Sequence, residues 1–133
     1  MTETVLLVPA YNEARTVVDV VRSALPYADR VVVIDDGSTD GTPDALAGLP
    51  IDLLRHARNL GKSASLIDGF AHALALGARN IVTMDADRQH RASDIPRLVQ
   101  VAGCHPRAIV IGARLRNRRR APTRRRIANR LAD

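Results

Sequence analysis

A chain of 133 residues with 46% hydrophobic side chains has a one-domain length and can bury a core, and its single cysteine excludes a disulfide framework and a cysteine-rich zinc site. The net charge of +6 is unevenly placed, because nine arginines and no acid lie between Arg114 and Arg130, a basic segment on a near-neutral body that calls for an anionic partner: phosphate, nucleic acid or a membrane surface. With only three aromatic residues, Tyr11, Tyr27 and Phe70, the core falls to Val, Ile, Leu and Ala, which suits buried parallel strands covered by Ala-rich helices.

In chain order, "TVLLVP" (4–9) is a short apolar run that predicts a buried strand. Asn12 is the expected cap of the next helix, whose Val17, Val20, Val21, Ala24 and Leu25 share one face, with Pro26 near its end. "RVVVID" (30–35) is a β-branched second strand. "DDGSTDGT" (35–42) is a loop with two glycines, followed by a short helix over 43–48. "IDLLRH" (51–56) predicts a weaker third strand. The stretch 59–77 reads as a loop feeding a long helix with an apolar stripe of Ile67, Phe70, Ala71 and Leu74 and a stop at Gly77. "NIVTM" (80–84) is a fourth strand, "SDIPRLVQVAG" (93–103) a helix with a Ser cap, and "AIVIGA" (108–113) a fifth strand. A last helix is expected to start near Thr123.

Strands separated by helices imply right-handed crossovers and a mostly parallel α/β sheet with helices on both faces. In such sheets ligands bind beyond the carboxyl ends of the strands. Five polar clusters fall at those ends: Pro9–Glu13, Asp35–Asp40, His56–Lys62, Asp85–His90 and Arg114.

The "DAD" of residues 85–87 places two carboxylates one residue apart, able to aim at one point across a turn. Alone they repel; a hard divalent cation removes that cost, with Gln89 as a neutral oxygen donor nearby. Two solvated turn acids satisfy the same spacing. In "IDDGSTDGT" a carboxylate suits a ribose hydroxyl or base edge, and an Asx turn without ligand is the competing reading. Tyr11 suits a base or the sheet edge; Glu13 suits a nucleotide or a helix N-terminus. Lys62 faces an anion or solvent. "NLGKSAS" lacks the P-loop spacing, and no G-x-G-x-x-G follows the first strand, which excludes those two phosphate motifs.

"LLVPAYNEARTV", "VVVIDDGSTDGT", "RNLGKSASLIDGF", "VTMDADRQHRASDIPRLV" and "VIGAR" occur in the order typical of family 2 glycosyltransferases with the GT-A fold, and the chain resembles dolichyl-phosphate mannose synthases and related polyprenyl-phosphate glycosyltransferases from about residue 4 to 114. The resemblance implies a metal-dependent, inverting transfer of a sugar from a nucleotide diphosphate sugar, GDP-mannose or a UDP-hexose, to a polyprenyl phosphate. Pro9, Tyr11, Glu13, Asp35, Asp36, Lys62, Asp85 and Ala86 would hold the donor. Asp85, Asp87 and Gln89 would bind Mg²⁺ or Mn²⁺. Asp87, Arg114 and Arg125 would act on the leaving diphosphate.

Residues 1–113 would then form the donor domain and 114–133 the start of the acceptor side, whose arginines suit a lipid phosphate and an anionic membrane surface, at about 1 kcal/mol per basic residue. A phosphate acceptor, with a second pKa of about 6, is already ionised and needs no general base. Arg88 and Arg91 replace the Leu and Pro common in the family, and the family continues past the end of this sequence. A donor-binding module without turnover, needing a partner chain or an oligomer, is therefore the alternative, and a basic nucleic-acid or membrane adaptor a third. Nucleic acid is not expected, for want of stacking aromatics. The N-terminus lacks a signal peptide's basic start and long apolar core, and no apolar run nears about 20 residues, so the expected location is cytoplasmic, peripheral at the inner membrane face.

Overall fold

The computed structural model describes residues 3–112. Four strands and four α-helices alternate: β1 (Thr4–Ala10), α1 (Val17–Ala24), β2 (Arg30–Asp35), α2 (Thr42–Ala45), β3 (Asp52–Arg55), α3 (Lys62–Ala75), β4 (Asn80–Thr83) and α4 (Ile95–Cys104). Single 3₁₀ turns at Leu25–Tyr27 and Ala92–Asp94 follow α1 and precede α4. All pairings are parallel, in the order β3-β2-β1-β4.

The central strands are buried on both faces, which is why they read as unbroken apolar runs. Period-two alternation divides their side chains between two cores. Leu6 and Val8 of β1 and Val31 and Val33 of β2 pack with Val17, Val20, Val21 and Ala24 of α1, Leu46 after α2, and Ile95 of α4. Val5, Leu7, Val32 and Ile34 point the other way, toward Ala73 of α3.

The apolar stripe expected to seat α3 does not do so. Ile67 is 67% exposed and Leu74 66% exposed, and Phe70 and Ala71 also face outward. Ser65, Gly69 and Ala73 are the buried residues, spaced at i, i+4, i+8. Small side chains let the helix lie close on the sheet: a Cβ on Gly69 would stand 2.9 Å from Ile34 Cδ1 and 3.1 Å from Leu7 Cδ1. Close backbone approach, rather than side-chain bulk, selects the face. The expected stop holds, with Gly77 at φ 75° one residue beyond the helix C-cap. Lower on the same helix, His72 Nε2 lies 2.8 Å from Asp52 Oδ2, and Arg30 pairs with the same carboxylate, tying α3 to β3 and β2.

Three other expectations are corrected. Asn12 does not cap α1, which starts at Val17 behind Thr16. Residues 108–112 form no strand, and Ile109 is 92% exposed. A β-branched run becomes a strand only where a ladder satisfies its backbone groups, and among the described residues none reaches this segment. Ser93 likewise sits inside the 3₁₀ turn, with Asp94 at the N-cap of α4. Residue 113, the remainder of the basic segment and the helix expected near Thr123 lie outside the described residues.

Candidate functional site

From β1 the chain winds to β2 and β3 on one side, then returns to place β4 on the other. The winding reverses at β1, so the loops after β1, β2 and β4 diverge around a gap at the carboxyl edge. A cleft of about 470 Å³ lies there. Pro9, Ala10, Tyr11 and Glu13 line it from β1 and its loop, Asp36 from the end of β2, Asn59, Gly61, Lys62 and Ser65 from the entry to α3, and Asp85, Ala86 and Asp87 from the loop after β4.

The loops after β1 and β2 are held together by Asn12. At φ 52° it occupies the left-handed region, which Asn tolerates, and its side-chain oxygen accepts the amides of Thr39 at 2.8 Å and Asp40 at 3.3 Å. Its own amide donates to Ser38 Oγ at 2.9 Å. Glu13 N donates to Thr42 Oγ1 at 3.0 Å, and Ala14 N to Asp40 at 3.2 Å. Asp40 in turn accepts from the Thr42 hydroxyl and amide, bonds that hold its carboxyl below the usual carboxylate range despite a contrary desolvation effect.

Both aspartates at the end of β2 are hydrogen-bonded. Asp35 is buried; its carboxylate accepts from Arg55 Nε at 3.3 Å and from the Ser38 amide at 3.4 Å, and it does not line the cleft. Asp36 does. It accepts the amides of Leu60 at 2.8 Å and Gly61 at 2.9 Å, and lies 2.7 Å from His56 Nδ1. Burial pushes its carboxyl up, but the His56 bond and the two amides outweigh that and leave it below the ordinary value. Gly37 beside it has φ 72°, and a Cβ there would stand 2.4 Å from the Arg58 carbonyl carbon. Only glycine fits where the two loops cross.

On the opposite wall, the Thr16 hydroxyl donates to the Ala86 carbonyl at 2.6 Å, fastening the "DAD" loop to the start of α1. Arg88, at φ 64°, lies in the left-handed region and pairs with Asp19 of α1 rather than with either aspartate. The Asp87 carboxylate accepts the Gln89 amide at 3.0 Å, an Asx-type turn. The Asp85 amide donates to His90 Nδ1 at 3.3 Å. Lys62 Nζ forms an ion pair with Asp85 across the cleft.

The structure therefore brings Pro9, Tyr11, Glu13, Asp36, Lys62, Asp85, Ala86 and Asp87 into one cleft and leaves Asp35 and Gln89 out of its lining. Arg114 and Arg125 lie outside the described residues. Asn59 and Gly61 belong to the His56–Lys62 cluster expected at the end of β3, though the sequence assigns neither them nor His56 a role there, and Ser65 lies just beyond it. Among the described residues no three of His, Cys, Asp and Glu converge as a protein-only metal cage. Two carboxylates in an open cleft do fit a hard cation such as Mg²⁺ or Mn²⁺, which completes its shell with water and phosphate oxygens.

This is a parallel α/β domain with an acidic cleft at its strand ends. Residues 5–130 match the family described as glycosyl transferase family 2, and the chain belongs to that family. It is 30% identical over 130 residues to the UDP-N-acetylglucosamine–dolichyl-phosphate N-acetylglucosaminyltransferase of Methanococcus voltae, covering 84% of this chain and 52% of that protein. It is 33% identical over 116 residues to the undecaprenyl-phosphate mannosyltransferase of Micrococcus luteus, covering 81% and 46%. The chain thus spans about half the length of these curated relatives. Among solved structures, glucosyl-3-phosphoglycerate synthase from Mycobacterium tuberculosis, crystallised with Mn²⁺ and UDP, superposes with a TM-score of 0.61 at 23% identity over 74% of this chain and 39% of that one, which establishes the common fold.

Proposed function

We propose that the cleft binds a nucleotide diphosphate sugar together with Mg²⁺ or Mn²⁺, and that the protein transfers the sugar, with inversion, to a polyprenyl phosphate. The observation that carries this reading is the convergence of Asp85, Asp87, Glu13, Lys62 and Tyr11 on one cleft at the carboxyl ends of β1 and β4. The names of the relatives, which act on dolichyl or undecaprenyl phosphate, support the acceptor class.

In this reading Tyr11 and Pro9 supply apolar surface for the nucleoside, and Glu13 and Asp36 supply acceptors for its hydroxyls or base edge. Asp85 and Asp87 hold the cation, which when bound stabilises charge on the departing diphosphate. Lys62, ion-paired with Asp85 across the cleft, would add a second positive charge beside that diphosphate. The acceptor phosphate oxygen attacks the anomeric carbon, the bond from that carbon to the diphosphate oxygen breaks, and the nucleoside diphosphate leaves with the electron pair. Arg114 and Arg125 would act on the leaving diphosphate, and the other arginines of the basic segment would bind the lipid phosphate at the inner, cytoplasmic membrane face.

Calorimetric titration with GDP-mannose and UDP-glucose, with and without Mn²⁺, tests the reading. One of the two is expected to bind wild type in a metal-dependent manner, and Asp87→Ala to lose about a hundredfold or more, the weight of a charge-bearing contact. A folded wild type that ignores both nucleotides would return the two aspartates to a solvated turn.

A further inference from the structure

His56 stands at the end of β3, with its side chain only 9% exposed. Both ring nitrogens face carboxylates: Nδ1 lies 2.7 Å from Asp36 Oδ1 and Nε2 lies 2.8 Å from Asp68 Oδ2. A neutral imidazole has one nitrogen that only accepts, and an ionised carboxylate also only accepts. Asp36 is held in its ionised form by two backbone amides. Two close carboxylate contacts call for two ring protons, which an imidazolium clamped between the end of β2 and α3 would supply. The same Asp36 oxygens fix Leu60 and Gly61, and Gly61 is the N-cap of α3, one residue before Lys62.

We propose that His56 is a positioning residue of the donor cleft: as an imidazolium bridging Asp36 and Asp68 it fixes the 57–61 loop and the start of α3, and so makes donor affinity depend on pH. This rests on the cleft being the nucleotide-sugar site. The neighbouring charges are already matched, Asp35 with Arg55 and Lys62 with Asp85, which leaves Asp36 and Asp68 as the carboxylates bonded to the ring. Those two bonds raise its pKa, Asp36 first, against the opposing pull of burial. The clamp is complete below the folded-state value and is lost as pH climbs through it. The neutral ring then keeps one proton and one partner, and the half-exposed Asp68 is the one released.

The test combines NMR of the His56 ring and the Leu60 and Gly61 amides with calorimetry of the nucleotide sugar in Mg²⁺, from about pH 6 to about pH 8.5. In wild type the two amides should shift at the His56 midpoint, and affinity should fall about threefold across it. Asp68→Asn should move that midpoint to lower pH without unfolding the chain. His56→Gln, whose amide overlays Nε2 and leaves Asp36 unpaired, should bind about tenfold more weakly. His56→Asn, whose amide overlays Nδ1, should recover most of that loss with a flat pH profile. Amides that ignore the His56 titration, or the same pH profile in His56→Asn as in wild type, would overturn the proposal. If wild type binds no nucleotide sugar at any pH while the amides still follow His56, the reading of the cleft fails and the clamp stands.

Discussion

Asp36 and His56 make one pair whose two members are tuned in opposite directions, and stability should report both. Asp36 titrates below its ordinary 3.8 in the folded state, so its contribution is present above that value and disappears as pH falls through the folded one. His56 titrates above its ordinary 6.5, so its contribution is complete below 6.5 and disappears as pH rises through the folded value. Asp40 and Asp52, also lowered, the latter chiefly by its His72 bond, steepen the acid side. Urea unfolding across the pH range should thus show greatest stability in mildly acidic to neutral solution and a decline on both flanks. His56→Asn should flatten the alkaline flank and spare the acid one; an unchanged alkaline flank would mean that His56 is neutral in the fold. None of this pairing is legible locally. His56 reads as one polar residue at a strand end, because its partners lie 20 residues upstream and 12 downstream. The same holds for Asn12: it looks like a helix cap, yet its acceptor serves amides 27 and 28 residues away.

At the scale of elements, two glycines set distances that larger residues cannot. Gly37→Ala puts a Cβ into the backbone of Arg58 and Asn59 at a positive φ, and should cost on the order of 2–4 kcal/mol in urea denaturation. Gly69→Val pushes α3 off Ile34 and Leu7, where the opposing atoms are flexible side-chain ends, and should cost about 1–3 kcal/mol. A Gly69→Val stability equal to wild type would show that α3 does not need its close approach. The strands were easy to read and the helix face was not, and the reason is physical. β1 and β2 are buried on both faces, so their sequence is apolar throughout and a window finds them at once. On α3 the buried face is made of Ser65, Gly69 and Ala73, which carry little hydrophobicity, while Ile67 and Leu74 lie outside. Periodicity weighted by hydrophobicity selects the wrong side of such a helix. The 108–112 run misleads in the opposite sense: it has the residues of a strand and, among the described residues, no ladder to join.

Across the whole molecule, the legible part of the site was its location. A parallel sheet sends every strand's carboxyl end to the same edge, so clusters scattered from Pro9 to Asp87 meet in one cleft once the alternation of strands and helices is known. What could not be read was which of two adjacent aspartates reaches the cleft, since Asp35 and Asp36 differ only in where the strand stops. The cleft's walls are also unequal in their support. β1 and β2 share six register pairs, whereas β4, which delivers Asp85 and Asp87, joins the sheet through four pairs to β1 and, among the described residues, has no neighbour beyond it. Amide hydrogen exchange should rank accordingly: β4 amides should exchange well before those of β1 and β2, through local opening below the global unfolding energy. Uniform protection over the three strands would refute that ranking. The two carboxylates thus ride on one of the sheet's two four-pair edge ladders, and a ligand that engaged them together with Lys62 would fasten that ladder to the far wall. Occupancy and order would rise together, so a protease or a deuterium label would read the bound state from the fourth strand alone.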